Sequence, residues 1–192
     1  MRQTAIWLSR VKSELGNAIE IDWRSFALEI VNSARSVTWA TVERDSSYQS
    51  RGITSLKAGR AARKQGEAEH WRFMLDLLEA KHVNHLDIRS LPVVHEVARN
   101  SGLDMHVFVR DFESPDALID IRRDHEEGVR LGLFGTPTFV FEGTNAVFLK
   151  MYTPPESETM PVFEHFVGMV RNRNYFGELK RPQPPWPRGA LE

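Results

Sequence analysis

Apolar residues recur at helical spacing over most of this chain and alternate like a strand in only a few places. Over residues 2–15, Ala5, Ile6, Leu8, Val11 and Leu15 share one side with Trp7 beside them, against Arg10, Lys12 and Glu14. That amphipathic pattern predicts a helix closed by Gly16. Ile19, Ile21 and Trp23 then alternate with Glu20, Asp22 and Arg24, which predicts a half-buried strand over Ile19–Phe26. Residues 32–52 are rich in Ser, Arg and Thr with no sustained period. They read as a long loop or crossover, a length that is usually functional or disordered.

A helical block follows. Thr54–Lys64 is a short basic helix ended by Gly66, and Glu67–Val83 carries Trp71, Met74, Leu75, Leu77 and Leu78 on one broad stripe. Ser90 and Pro92 open a helix over Val93–Arg99, and Asp104 caps Met105–Phe112. Ser114–Pro115 opens a long helix to about Leu131 with Leu118, Ile121 and Val129 facing inward. Then the period changes to that of strands. Thr138–Phe141 and Ala146–Met151 flank a turn at Glu142–Gly143–Thr144–Asn145, a predicted hairpin. Glu158–Arg173 is the last helix, and Arg181–Glu192 is a proline-rich, polyproline-like tail.

Composition narrows the class. The chain has 192 residues, 41% hydrophobic and 27% charged, with a formal net charge of −1. One globular domain with a substantial core is the default at that length. A near-neutral balance leaves no electrostatic footprint for nucleic acid or an anionic membrane, so neither is expected as a partner. No apolar run reaches the roughly 18 residues of a spanning helix, and the amino terminus lacks a signal peptide's apolar core. A cytoplasmic location is the expectation. Cysteine is absent, which removes disulfides, thiolate catalysis and cysteine-based metal sites from this chain.

The chemistry-bearing stretch is Gly132–Leu133–Phe134–Gly135–Thr136–Pro137–Thr138–Phe139. Proline at the entry to a strand cannot donate to the ladder, and it pushes Thr136 out of the helical region. The Thr136–Pro137 bond is the candidate cis bond, since only X-Pro bonds go cis at modest cost. Gly135, Thr136 and Pro137 form the turn that leads into the strand.

Together with Ile19–Phe26 and Leu28, Gly102–Leu103–Asp104 and Asp124–His125, that stretch resembles the DsbA-like thioredoxin family. The likeness is greatest to its cytoplasmic branch of FrnE-type and 2-hydroxychromene-2-carboxylate-isomerase-like proteins, and it runs to about residue 170. The resemblance implies an α/β fold, thioredoxin-like with a helical insertion. Residues 1–31 and 132–176 would form the core, 53–131 the inserted helical subdomain and 177–192 the tail. It also implies thiol-disulfide exchange by a Cys-x-x-Cys pair at the amino end of the first helix, facing a cis-proline loop that binds an extended peptide or a small thiol, which would make Gly135, Thr136 and Pro137 the candidate substrate-binding residues.

This chain departs from that pattern. The strand that precedes the first helix in the family is missing, and so is the redox pair. Three readings of the departure stay open: a truncated or misassigned start, a natural degenerate member that binds without catalysing, and a strand supplied by a partner chain. No catalytic residue and no metal ligand is assigned. No cofactor is expected, glutathione being the one the resemblance leaves open, and a homodimer is an open alternative.

Three functions follow in order. They are an oxidoreductase-like protein without its redox centre, a glutathione-dependent isomerase or transferase, and a non-catalytic peptide-binding module using the proline groove. Other polar residues have plainer uses. Thr4 and Ser9 could replace the hydroxyl that glutathione-using relatives place at the first helix, but hydroxyls on helices are commonly caps or surface groups. His82 and His85 lack a third ligand at metal spacing. Arg60, Arg63 and Lys64 form a basic patch, ordinarily a solvated face, with anion binding as the alternative.

Overall fold

A computed structural model describes residues 1–32, 37–44, 50 and 52–179. The expected tail at Arg181–Glu192 lies outside the described residues, as do residues 33–36, 45–49 and 51 of the expected loop. The described chain is helical with a small two-stranded sheet. It divides into two compact units, one built from Gln3–Ile21 with the chain from Pro137 onward, the other from Asp22–Thr136.

In the first unit, α1 (Arg2–Leu15) buries Thr4, Ala5, Trp7, Leu8 and Val11 on the face the sequence pattern outlines. Strands β1 (Thr138–Phe141) and β2 (Asn145–Phe148) pair antiparallel with Phe139 opposite Val147 and Phe141 opposite Asn145. Glu142 and Gly143 both take positive φ, and the Thr144 N–H donates to the Phe141 carbonyl at 3.2 Å. Both features belong to a tight hairpin whose twist matches its strands. The second strand is shorter than the predicted Ala146–Met151.

Helix α9 (Thr159–Asn172) closes this unit. Phe166 meets Trp7, Phe139 and Phe141 at ring-centroid distances of 5.9, 5.1 and 5.8 Å. Burying these rings stabilises the unit, at about 25 cal/mol per Å² of apolar surface removed from water. The Trp7 indole N–H donates to the Thr159 carbonyl at 3.1 Å, so the ring is buried with its polar atom satisfied.

The second unit carries α2 (Leu28–Val31), α3 (Trp39–Arg44), α4 (Ile53–Arg63), α5 (Glu67–His82), α6 (Leu91–Asn100), α7 (Met105–Glu113) and α8 (Pro115–Arg130). Its main core joins Ala58 and Ala62 of α4, Phe73 and Leu77 of α5, Val94 and Ala98 of α6, and Phe108 and Phe112 of α7. Alanines on α4 let the neighbouring helices approach closely. Asp104 caps α7 as predicted, accepting from His106 and Val107 N–H at 2.9 and 3.0 Å, and Ser114 caps α8 through Asp116 N–H at 3.2 Å. Ser90 stands at the N-cap position of α6 without a side-chain cap bond.

Within the expected loop, α3 is a short helix. Its Trp39 packs on a small apolar cluster of Ala27, Ile53 and Ile121. The predicted strand at Ile19–Phe26 is not one. After a 3₁₀ turn at Gly16–Ala18 this segment runs without regular structure to α2 and pairs with no strand among the described residues. Its alternating pattern is that of a ladder member, but no neighbouring strand takes its backbone groups. Side chains of α8 take some of them instead.

Candidate functional site

The end of α8 sets up the candidate segment. Leu133 N–H donates to the Gly128 carbonyl and Gly132 N–H to the Val129 carbonyl, both at 3.0 Å, with Gly132 at φ 75°. These paired bonds with a left-handed residue form a Schellman cap, which only glycine enters without steric cost. Gly128 sits one turn earlier for a different reason. A Cβ there would lie 2.9 Å from the Phe26 ring, so the missing side chain makes room for Phe26.

The chain then bends through Gly135, Thr136 and Pro137, all half-buried, while Phe134 is exposed. The Pro137 carbonyl accepts from Leu149 N–H at 3.1 Å, which joins the bend directly to the sheet ladder. So the three candidate residues are consecutive at the entrance to β1. Proline fits this place because its missing N–H leaves no donor to satisfy.

A second polar constellation was under-read in the sequence. Asp124 and His125 lie on the buried face of α8, the Asp124 side chain being fully buried. Asp124 Oδ2 accepts from Ser25 N–H at 2.8 Å, and His125 Nδ1 accepts from Ala27 N–H at 3.2 Å. Alternate N–H groups of an extended segment thus end on two adjacent helical side chains, where a strand would otherwise receive them. With Nδ1 accepting, the neutral ring carries its proton on Nε2. Phe26 and Trp39 pack on the imidazole with centroids at 4.9 and 5.4 Å, and burial lowers its pKa against the opposing pull of Glu126.

Asp124 is charge-compensated by Arg60, whose Nη2 meets Oδ2, and by Arg24 Nη1 at 3.2 Å from Oδ1. The Arg60 Nε finds no acceptor among the described residues, and burial draws its guanidinium below the ordinary value. Arg63 pairs with Asp22 and donates to the Trp23 carbonyl at 2.7 Å. Of the predicted basic patch on α4, Arg60 is therefore spent inside the protein, Arg63 pairs with Asp22 at the surface, and Lys64 is exposed. The signal for this was present: Asp124–His125 falls between Ile121 and Gly128 on one helical face.

His70 of α5 is buried beside this network, its ring 6.0 Å from Trp23. Burial above all, then Arg63 and Arg60, push its pKa from 6.5 down to about 4. The sign follows directly. Below pH 6.5 the unfolded chain protonates His70 while the folded chain keeps it neutral, so the unfolded state binds more protons. Stability is expected to fall as the pH drops from 6.5 toward 4. The fall should be visibly shallower in His70→Gln when urea midpoints are compared across that window. Equal slopes would remove His70 from the account.

The remaining candidates are placed plainly. Thr4 is 3% exposed, and the Ser9 hydroxyl donates to the Ile6 carbonyl at 2.8 Å, a local back-bond. His82 and His85 are exposed at the end of α5. No group of three or more His, Cys, Asp or Glu side chains that could hold a metal occurs among the described residues. Nor is any described helix long and apolar enough to cross a membrane.

Two comparisons place the chain. It is 25% identical over 186 residues to the uncharacterized protein Rv2286c of Mycobacterium tuberculosis (strain ATCC 25618 / H37Rv), an alignment covering 95% of this chain and 77% of that relative. The family profile described as the DSBA-like thioredoxin domain matches residues 7–152, a span that takes in α1 from Trp7 onward, the whole helical insertion, the Gly135–Pro137 bend and the hairpin. With a thioredoxin-like hairpin entered through Thr-Pro and a helical insertion ahead of it, this chain belongs to the DSBA-like thioredoxin domain family.

Proposed function

We propose that this protein works as a binding member of the thiol-disulfide oxidoreductase lineage, taking an extended peptide or a small thiol at Gly135–Thr136–Pro137 without exchanging disulfides itself. The observation that carries the reading is a DSBA-like domain match over a chain with no cysteine. Exchange proceeds by thiolate attack on a disulfide sulfur through a mixed disulfide, and thioether sulfurs of methionine cannot perform it. What such a domain retains is the bend before β1, where backbone groups are fixed in direction and the Thr136–Pro137 bond, in this proposal held cis, shapes the groove. A cytoplasmic setting belongs to the same proposal.

Glutathione chemistry has less support, because the hydroxyls near the start of α1 are buried or back-bonded. Insulin reduction with dithiothreitol as the electron source is expected to show no acceleration by this protein. Immobilised-peptide binding is expected to be retained by the wild type and weakened at least about tenfold in Pro137→Ala, a loss of about 1.4 kcal/mol, with the circular dichroism spectrum unchanged. Turnover of insulin, or undiminished peptide binding by a folded Pro137→Ala, would overturn the proposal.

A further inference from the structure

An open cleft of about 420 Å³ lies within the second unit, where α7 gives way to α8. One wall is apolar, built from Pro115, Leu118 and Ile119, and Ile119 is 62% exposed. Lys57 of α4 also lines it. Its ammonium stands 4.6 Å above the centre of the buried Phe112 ring. Among the described residues no carboxylate comes within ion-pair distance of it. The lining charges cancel: Lys57 and Arg122 face Glu43 and Glu113, and Arg122 is engaged by Glu126 at 2.8 Å and Glu43 at 3.5 Å. An ionic ligand therefore gains little here, whereas a neutral apolar one with an electrophilic carbon meets both a wall and an amine.

We propose that Lys57 is a carbonyl-reactive amine whose ε-nitrogen adds to a small apolar aldehyde seated on Pro115, Leu118 and Ile119. The ammonium first gives its proton to water or to Glu113. The nitrogen lone pair then forms the C–N bond as the C=O π bond breaks and one nitrogen proton passes through water to the oxygen; the resulting carbinolamine loses its hydroxyl and the remaining nitrogen proton as water to leave the imine. Burial lowers the Lys57 ammonium below its ordinary value, with Glu113 opposing, which favours the first step.

The test is reductive alkylation of the full chain with limiting benzaldehyde and sodium cyanoborohydride near neutral pH, read by peptide mass mapping. Lys57 is expected to be alkylated faster than the exposed Lys64, Lys81 and Lys150. Ile119→Ser, at a solvent-facing position, should cut the benzaldehyde rate at Lys57 severalfold while leaving its rate with formaldehyde, which needs no apolar seat. Alkylation of Lys57 no faster than of the three exposed lysines would overturn the proposal. So would an Ile119→Ser variant that labels Lys57 like the wild type with benzaldehyde.

Discussion

Asp124→Ala is expected to destabilise the Asp22–Thr136 unit by about 3–5 kcal/mol, the range for removing one partner of a buried ion pair. Two groups lose their partner at once, the Ser25 N–H at 2.8 Å and Arg60, whose side chain is only 12% exposed, while Arg24 Nη1 loses its 3.2 Å acceptor but keeps Glu127 at 3.5 Å. The buried guanidinium is the costly one, because it keeps its charge when its counter-ion goes. Asp124→Asn retains an oxygen for the Ser25 N–H but not the charge, so its loss should be smaller yet still large. Arg60→Met in the Asp124→Ala background is expected to recover much of the deficit, since an apolar side chain of similar length replaces an unpaired cation. Urea unfolding of the four proteins by circular dichroism decides it. A single-variant loss below about 1 kcal/mol would mean the pair behaves like a surface bridge.

The same residues show where sequence reading succeeded and where it failed. Helix termini were legible because their chemistry is local: Asp104 and Ser114 cap as expected, and Gly132 ends α8. The Pro137 entry to β1 was legible for the same reason, a proline needing no ladder partner. The inward face of α8 was misjudged. Leu118, Ile121 and Val129 were expected inside, but Val129 is 51% exposed, and Ala117, Ile121, Asp124, His125 and Gly128 are the buried residues. Apolar periodicity takes Asp and His for solvent markers, and here they are buried because each binds the backbone of another segment.

Strand assignment at Ile19–Phe26 failed for the complementary reason. Alternation reports which side chains can be buried, while a strand also needs a neighbour to hydrogen-bond, and no pattern within the segment reveals that neighbour. Ser25, Phe26 and Ala27 are buried consecutively, which an alternating strand with one covered face would not give. The family was legible through the stretch around Thr136–Pro137. A role for that stretch was not, because its candidate groups are backbone atoms whose direction depends on the fold.

Trp7→Ala is the second change expected to be severe, with a loss of about 3–5 kcal/mol confined to the other unit. Trp7 is fully buried, and its ring lies 6.3 Å from Phe139, 6.1 Å from Phe163 and 5.9 Å from Phe166. Removing it leaves a cavity among aromatic rings that cannot collapse without moving α9. It also strips the Thr159 carbonyl of its 3.1 Å donor in a buried place. Trp7→Phe separates these contributions, because most of the apolar volume stays while the N–H is lost, and about 1–3 kcal/mol should disappear. A two-stranded hairpin is marginal by itself and depends on packing against helices. Native-state hydrogen exchange should therefore show the amides of β1, β2 and α9 losing protection in Trp7→Ala, while those of α5 and α6 keep theirs. If protection fell equally in α5 and α6, the aromatic cluster would be supporting the whole chain, and the Gly135–Pro137 bend would depend on Trp7 as much as the hairpin does. If it fell only in the hairpin and α9, the strand that receives Pro137 could be loosened selectively. Peptide binding by Trp7→Phe would then show how far the proposed site relies on a rigid ladder beneath it.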